Sequence, residues 1–89
     1  MDSSIVLNPN FPKAIFNRGQ AKYRLKDYSG ALNDFNRVIY LDPFNAHAYM
    51  KRGMSYLGLG DKDNACIDWN KAADLGWKDV YEYIRDYCR

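Results

Sequence analysis

The side chains able to do chemistry are few and scattered. His47 is the single histidine, and Cys66 and Cys88 are the two cysteines. A catalytic or metal-binding histidine needs a partner, and nothing near His47 in sequence makes a nucleophile, a base partner or a second ligand. It reads as a surface residue at a helix start. Cys66 and Cys88 form no CxxC pair, and a structural zinc takes about four ligands. No acid–base pair or nucleophile–base set stands out. The expectation is a protein that is not an enzyme and that carries no cofactor and no metal. The two cysteines fall on helix faces that could meet. Two buried free thiols, the common state in a reducing compartment, are the favoured reading. A disulfide would need Cα atoms within ~7 Å and suits an exported protein.

Charge points to no special partner. The chain has 89 residues, a formal net charge of +2, 47% hydrophobic and 27% charged residues, which is ordinary globular material. One domain with a modest core is expected, and stability should be marginal at this length. The basic cluster Lys22-Tyr23-Arg24-Leu25-Lys26 is interrupted by apolar residues and reads as a solvated helix end. No nucleic-acid partner is expected. No apolar stretch approaches the ~20 residues of a membrane span, so no membrane partner is expected. The start, Met1 to Leu7, has no basic n-region and no long apolar stretch, unlike a signal peptide. Localisation is left open: cytoplasmic by default, exported if an upstream signal was removed.

The elements that position these residues follow a 34-residue period. Leu7, Leu41 and Leu75 recur at that spacing, as do Pro9 and Pro43. Aligning residues 12–45 with 46–79 gives nine identical pairs: Ala14/Ala48, Arg18/Arg52, Gly19/Gly53, Leu25/Leu59, Asp27/Asp61, Ala31/Ala65, Asp34/Asp68, Asn36/Asn70 and Leu41/Leu75. Average composition gives roughly two by chance. A period of this size marks a stacked repeat.

Each repeat carries two helical patterns. Pro12 suits a first helical turn, and the apolar residues of 12–25 flank the small residues Gly19 and Ala21. In 28–41, Ala31, Leu32, Phe35, Val38, Ile39 and Leu41 follow a 3.6-residue stripe. Asp27 and Asp61 sit where an N-cap would accept orphan N–H groups. Pro43 stops the first repeat, and Gly76 ends the second by the left-handed conformation open to glycine. Val80, Tyr83, Ile84, Tyr87 and Cys88 share one face of a fifth helix that can cover the end of the stack. Residues 1–11 parallel the end of a repeat. The organisation expected is therefore 1–11 as a remnant or tail, 12–45 and 46–77 as repeats, and 78–89 as a capping helix.

These residues resemble the tetratricopeptide repeat. The first repeat supplies Ile15, Gly19, Tyr23, Ala31, Phe35 and Pro43; the second supplies Tyr49, Gly53, Tyr56, Ala65, Trp69 and Ala72. The ending from Ala65 to Gly76, then Tyr87-Cys88, is similar to that of short bacterial members. Val38, Lys22 and Trp77 depart from the pattern, where smaller, aromatic and proline residues are usual. The resemblance implies an all-α fold, a right-handed superhelical stack of antiparallel helix pairs. In it Gly19 and Gly53 let paired helices approach, Ala31 and Ala65 face them, and Phe35 and Trp69 fill the gap beside them.

The resemblance also implies a function. Family members bind peptides in a concave groove lined by the first helix of each repeat. Here that face would hold Lys13, Phe16, Asn17, Gln20 and Arg24, then His47, Met50, Lys51 and Met54. Amides can bond a peptide backbone and methionines suit an adaptable surface. Some chaperone-binding members hold a C-terminal carboxylate with asparagine, lysine and arginine. Asn17, His47 and Lys51 occupy comparable places, although that clamp normally uses three repeats. The function expected is a non-catalytic module that binds a protein or peptide. The alternative is a self-associating fragment of a longer repeat protein, a homodimer through the N-terminal edge. The surplus aromatics Tyr40, Phe44, Tyr81, Tyr83 and Tyr87 fit cap packing or self-association.

Overall fold

A computed structural model of the protein describes residues 11–88. The half-repeat expected over 1–11 lies, Phe11 excepted, outside the described residues. The described chain is all α: α1 (Pro12–Arg24), α2 (Tyr28–Leu41), α3 (Ala46–Gly58), α4 (Lys62–Asp74) and α5 (Val80–Tyr87). Each helix packs on the next, and α1 also touches α3. This nearest-neighbour order is that of a solenoid, and the body is elongated at 43 × 25 × 17 Å.

The helix ends follow from local chemistry. Pro12 occupies the first turn of α1, where its missing N–H leaves no bond unmade. Asp27 accepts from the Gly30 N–H, Asn45 from Ala48 and Asp61 from Asn64. Helices α1, α3 and α4 share one ending. Lys26 N–H bonds the Tyr23 carbonyl while Asp27 N–H reaches back to Lys22. Gly60 with Asp61, and Gly76 with Trp77, repeat this pair of bonds. The linking residue is left-handed each time: φ is 65° at Lys26, 82° at Gly60 and 101° at Gly76. The 5→2 and 6→1 bonds satisfy terminal carbonyls that would otherwise lack partners.

Packing within a repeat is set by a ring against a glycine. Phe35 and Trp69 are fully buried. Their rings lie directly over Gly19 and Gly53, where a Cβ would come within 2.9 Å of Phe35 Cε1 and 2.7 Å of Trp69 Nε1. The glycines thus make room for rings, not only for neighbouring backbone. Ile15, Val38 and Ala48 form the joint between repeats. A larger cluster of Tyr49, Met50, Ala65, Trp69, Ala72 and Val80 joins the second repeat to α5. Truncating a buried ring such as Trp69 removes about 3–5 kcal/mol.

One buried carboxylate holds each pair of helices in register. Arg18 donates to both oxygens of Asp34, at 3.1 and 2.8 Å. Arg52 does the same to Asp68, at 2.8 and 2.7 Å. Burial lifts the Asp68 carboxyl above the usual carboxylate range, and the bonds from Arg52 oppose the lift. Arg52 also donates to Asn36 at 3.0 Å, which ties the second repeat to the first.

The thiol reading requires correction. Cys66 and Cys88 are joined in a disulfide, with Cα atoms 5.7 Å apart. The reason is the docking of α5 on α4. Val80 is fully buried, and Tyr83 and Tyr87 lie 5.3 and 5.8 Å from the Trp69 ring. That seats residue 88 over the middle of α4, inside the distance a bridge requires.

Candidate groove on the first helices of the two repeats

The residues anticipated for the groove sit at i, i+3, i+4, i+7 spacings on α1 and α3, so each set shares one helix face. Lys13, Asn17 and Arg24 are exposed; Phe16, Gln20, His47, Lys51 and Met54 are half-buried. Met50 is 8% exposed and belongs to the core. Its backbone carbonyl accepts from Trp69 Nε1 at 3.3 Å, and its sulfur accepts from Trp77 Nε1 at 2.9 Å.

A line of rings joins the two repeats across this face. Phe16 lies 5.5 Å from Phe35 and 4.8 Å from His47, centroid to centroid. His47 in turn stacks on Trp77 at 4.9 Å with 21° between the planes. His47 is therefore not the free surface residue its position suggested. It is a spacer between Phe16 of the first repeat and Trp77 at the end of the second. Burial pulls its imidazole below the ordinary value of 6.5, and the Lys51 charge adds to the effect. The ring is neutral near pH 7 and can keep one nitrogen as an acceptor.

Trp77 is the residue of this face that sequence reasoning missed. It stands where the first repeat has Pro43. Its placement comes from the end of α4. Gly76 turns left-handed, Trp77 N–H bonds the Ala72 carbonyl, and the indole is directed back onto Met50 and His47. The signal was present in sequence as the Asp-Pro stop replaced by Gly-Trp.

Charge on this face is positive and unpaired. Among the described residues, Lys13, Arg24 and Lys51 have no ion-pair partner, whereas Arg18 and Arg52 are held by Asp34 and Asp68. Burial lowers the Lys51 ammonium, and the nearby Arg24 charge lowers it further. Two cations left close together without a carboxylate favour an anionic or strongly dipolar ligand group. At the N-terminal end a cleft of about 330 Å³ is lined by Phe11, Pro12, Lys13, Phe16, Asp42, Asn45 and His47. Apolar walls with a few polar groups suit one inserted side chain.

Comparison with known proteins identifies the repeats. Two family models described as tetratricopeptide repeat match residues 12–45 and 46–75. The chain belongs to the tetratricopeptide repeat family. It is a protein-interaction module of that family, whose fold is non-enzymatic. Relatives include heat shock protein STI1 of Saccharomyces cerevisiae, 39% identical over 59 residues, covering 66% of this chain and 10% of that protein. RNA polymerase II-associated protein 3 of Xenopus tropicalis is 41% identical over 59 residues, covering 66% of this chain and 9% of that protein. Sperm-associated antigen 1 of Mus musculus is 33% identical over 76 residues, covering 79% of this chain and 8% of that protein. The chain thus spans about a tenth of the length of these relatives.

Proposed function

We propose that this tetratricopeptide repeat protein binds an extended or helical segment of another protein along the face of α1 and α3, without catalysing a reaction. The observation that carries this reading is the line of rings Phe16–His47–Trp77. It crosses from one repeat to the other and is flanked by Lys13, Arg24 and Lys51, which lack ion-pair partners among the described residues. Rings give contact area at small entropic cost, and the cations give orientation. Asn17 and Gln20 stand beside them and offer amide groups to a peptide backbone. In this reading 12–45 and 46–77 act as the two binding units and 78–89 as the cap.

A peptide-library selection on the full chain tests the proposal. Binders should emerge that lose roughly tenfold in affinity on Lys51→Ala and on Asn17→Ala, the scale of one or two charge-assisted hydrogen bonds. An empty selection, or binders indifferent to both substitutions, would count against it.

A second reading is favoured by exposed rings of the first repeat. Phe44 is 77% and Tyr40 78% exposed, with Phe11 at 46%. These rings suit self-association through the N-terminal edge. Sedimentation of the full chain over a range of concentrations decides it: a concentration-independent monomer removes this reading and leaves the groove untouched.

A further inference from the structure

The Cys66–Cys88 bridge joins the middle of α4 to the residue that follows α5. Helix α5 has 8 residues, no side-chain bond at its N-cap, and Val80 as its one buried residue. A helix this short does not persist by itself in water. Its conformation therefore depends on docking, through Val80 and through Tyr83 and Tyr87 against Trp69. The bridge closes the segment that runs from α4 through residues 75–79 to α5. That segment holds Trp77, whose indole stacks on His47 and donates to Met50. One covalent bond therefore restrains both the cap and the end of the ring line across α1 and α3.

We infer that the Cys66–Cys88 bridge is a redox site at which a dithiol reductant releases the cap helix α5 and loosens the Trp77–His47 stack. Access is open. Both cysteines are half-buried, and with Lys62, Asp63, Ile67, Asp86 and Tyr87 they line a surface depression of about 470 Å³. The exchange proceeds in two displacements. A thiolate of the reductant attacks one bridge sulfur, and the S–S bond breaks. The other sulfur departs with the electron pair and takes a proton from water. The reductant's second thiol, as thiolate, then attacks the mixed disulfide and frees the remaining cysteine, which is protonated in turn. The protein gains two electrons and two protons, and the reductant ends as its own disulfide. A disulfide oxidant reverses the sequence.

The consequence is local because the pairing of α1 with α2 does not use the bridge: it is made by the Phe35 ring on Gly19 and by the Arg18–Asp34 pair. With the bridge intact, an undocked α5 is still confined by the closed loop across a sequence separation of 22. Cutting it frees that segment, and the undocked population rises roughly tenfold to a hundredfold on loop-entropy grounds.

The test compares the full-length chain before and after treatment with dithiothreitol, then after reoxidation. Intact mass should rise by two hydrogen atoms on reduction. Amides of residues 80–88 should then exchange roughly tenfold to a hundredfold faster, with α1 and α2 unchanged. The ring-current shift of the His47 protons should shrink toward that of an unstacked imidazole, and all of this should reverse on reoxidation. A Cys66→Ser/Cys88→Ser variant should match the reduced chain and ignore the reductant. Equal protection of α5 in both states overturns the inference. So does a uniform loss of protection from α1 to α5, which would make the bridge a general staple, and so does a chain that never shows the mass change.

Discussion

A Cβ placed on Gly53 would lie 2.7 Å from Nε1 of Trp69 and 3.1 Å from the Ala65 carbonyl oxygen. The indole has no room to withdraw, because Tyr83 stacks on it at 5.3 Å. Gly53→Ala should therefore destabilise the fold. The gain in helix propensity, about 1 kcal/mol, is outweighed by overpacking of about 1–3 kcal/mol. A net loss of up to about 2 kcal/mol is expected in urea denaturation. A more stable variant would show that the ring can shift.

Lys26 and Gly60 occupy corresponding places in the two repeats, with φ of 65° and 82°. An L side chain costs roughly 1–2 kcal/mol in that conformation. Lys26→Gly should stabilise the protein by about 0.5–1 kcal/mol, and Gly60→Ala should destabilise it by about 1 kcal/mol, despite open space around Gly60. Thermal melts of the two variants should move in opposite directions.

The two Arg–Asp pairs should differ in cost when broken. Removing Arg52 strands Asp68, whose side chain is 3% exposed. Removing Arg18 leaves Asp34 with Lys22 at 3.4 Å. Arg52→Ala should cost about 3 kcal/mol and Arg18→Ala about 1–2 kcal/mol. Replacing both members, as in Arg52→Met/Asp68→Leu, should cost less than Arg52→Ala alone, because no buried charge is left unpaired. Denaturant midpoints of the variants give the order.

His47 makes stability depend on pH. Burial, with help from Lys51, places its folded value below the ordinary 6.5. The unfolded chain therefore binds the proton more readily, and stability falls as pH drops. The contribution is fully present above about 6.5 and is lost as pH falls through the lowered folded value. The wild type should lose stability as pH falls below about 6.5, and His47→Gln should flatten that loss. An identical profile for the variant would remove His47 as the source.

The fold was legible because its signals repeat. Gly19/Gly53, Ala31/Ala65 and Asp27/Asp61 recur at one spacing, and each has a local physical role in the structure. Arg18/Asp34 and Arg52/Asp68 recur as faithfully, yet their pairing joins different helices and was not read from spacing. The last part of the chain was harder because it has no second copy. Met50 read as a groove residue from its helical register, but Trp77 folds back over it. His47 read as free surface because its neighbours, Phe16 and Trp77, are far away in sequence. The disulfide depends on where α5 docks, which two cysteines 22 residues apart do not reveal.

The central claim is that a partner segment lies across the first helices of the two repeats. Titrating a selected peptide into the isotope-labelled full chain, and mapping the shifted amide and ring signals by nuclear magnetic resonance, tests it most directly. The predicted result is a continuous track through Phe16, Asn17, His47, Lys51 and Trp77. Changes confined to the outer surface of α4 around Ile67, or to the edge at Tyr40 and Phe44, would contradict it.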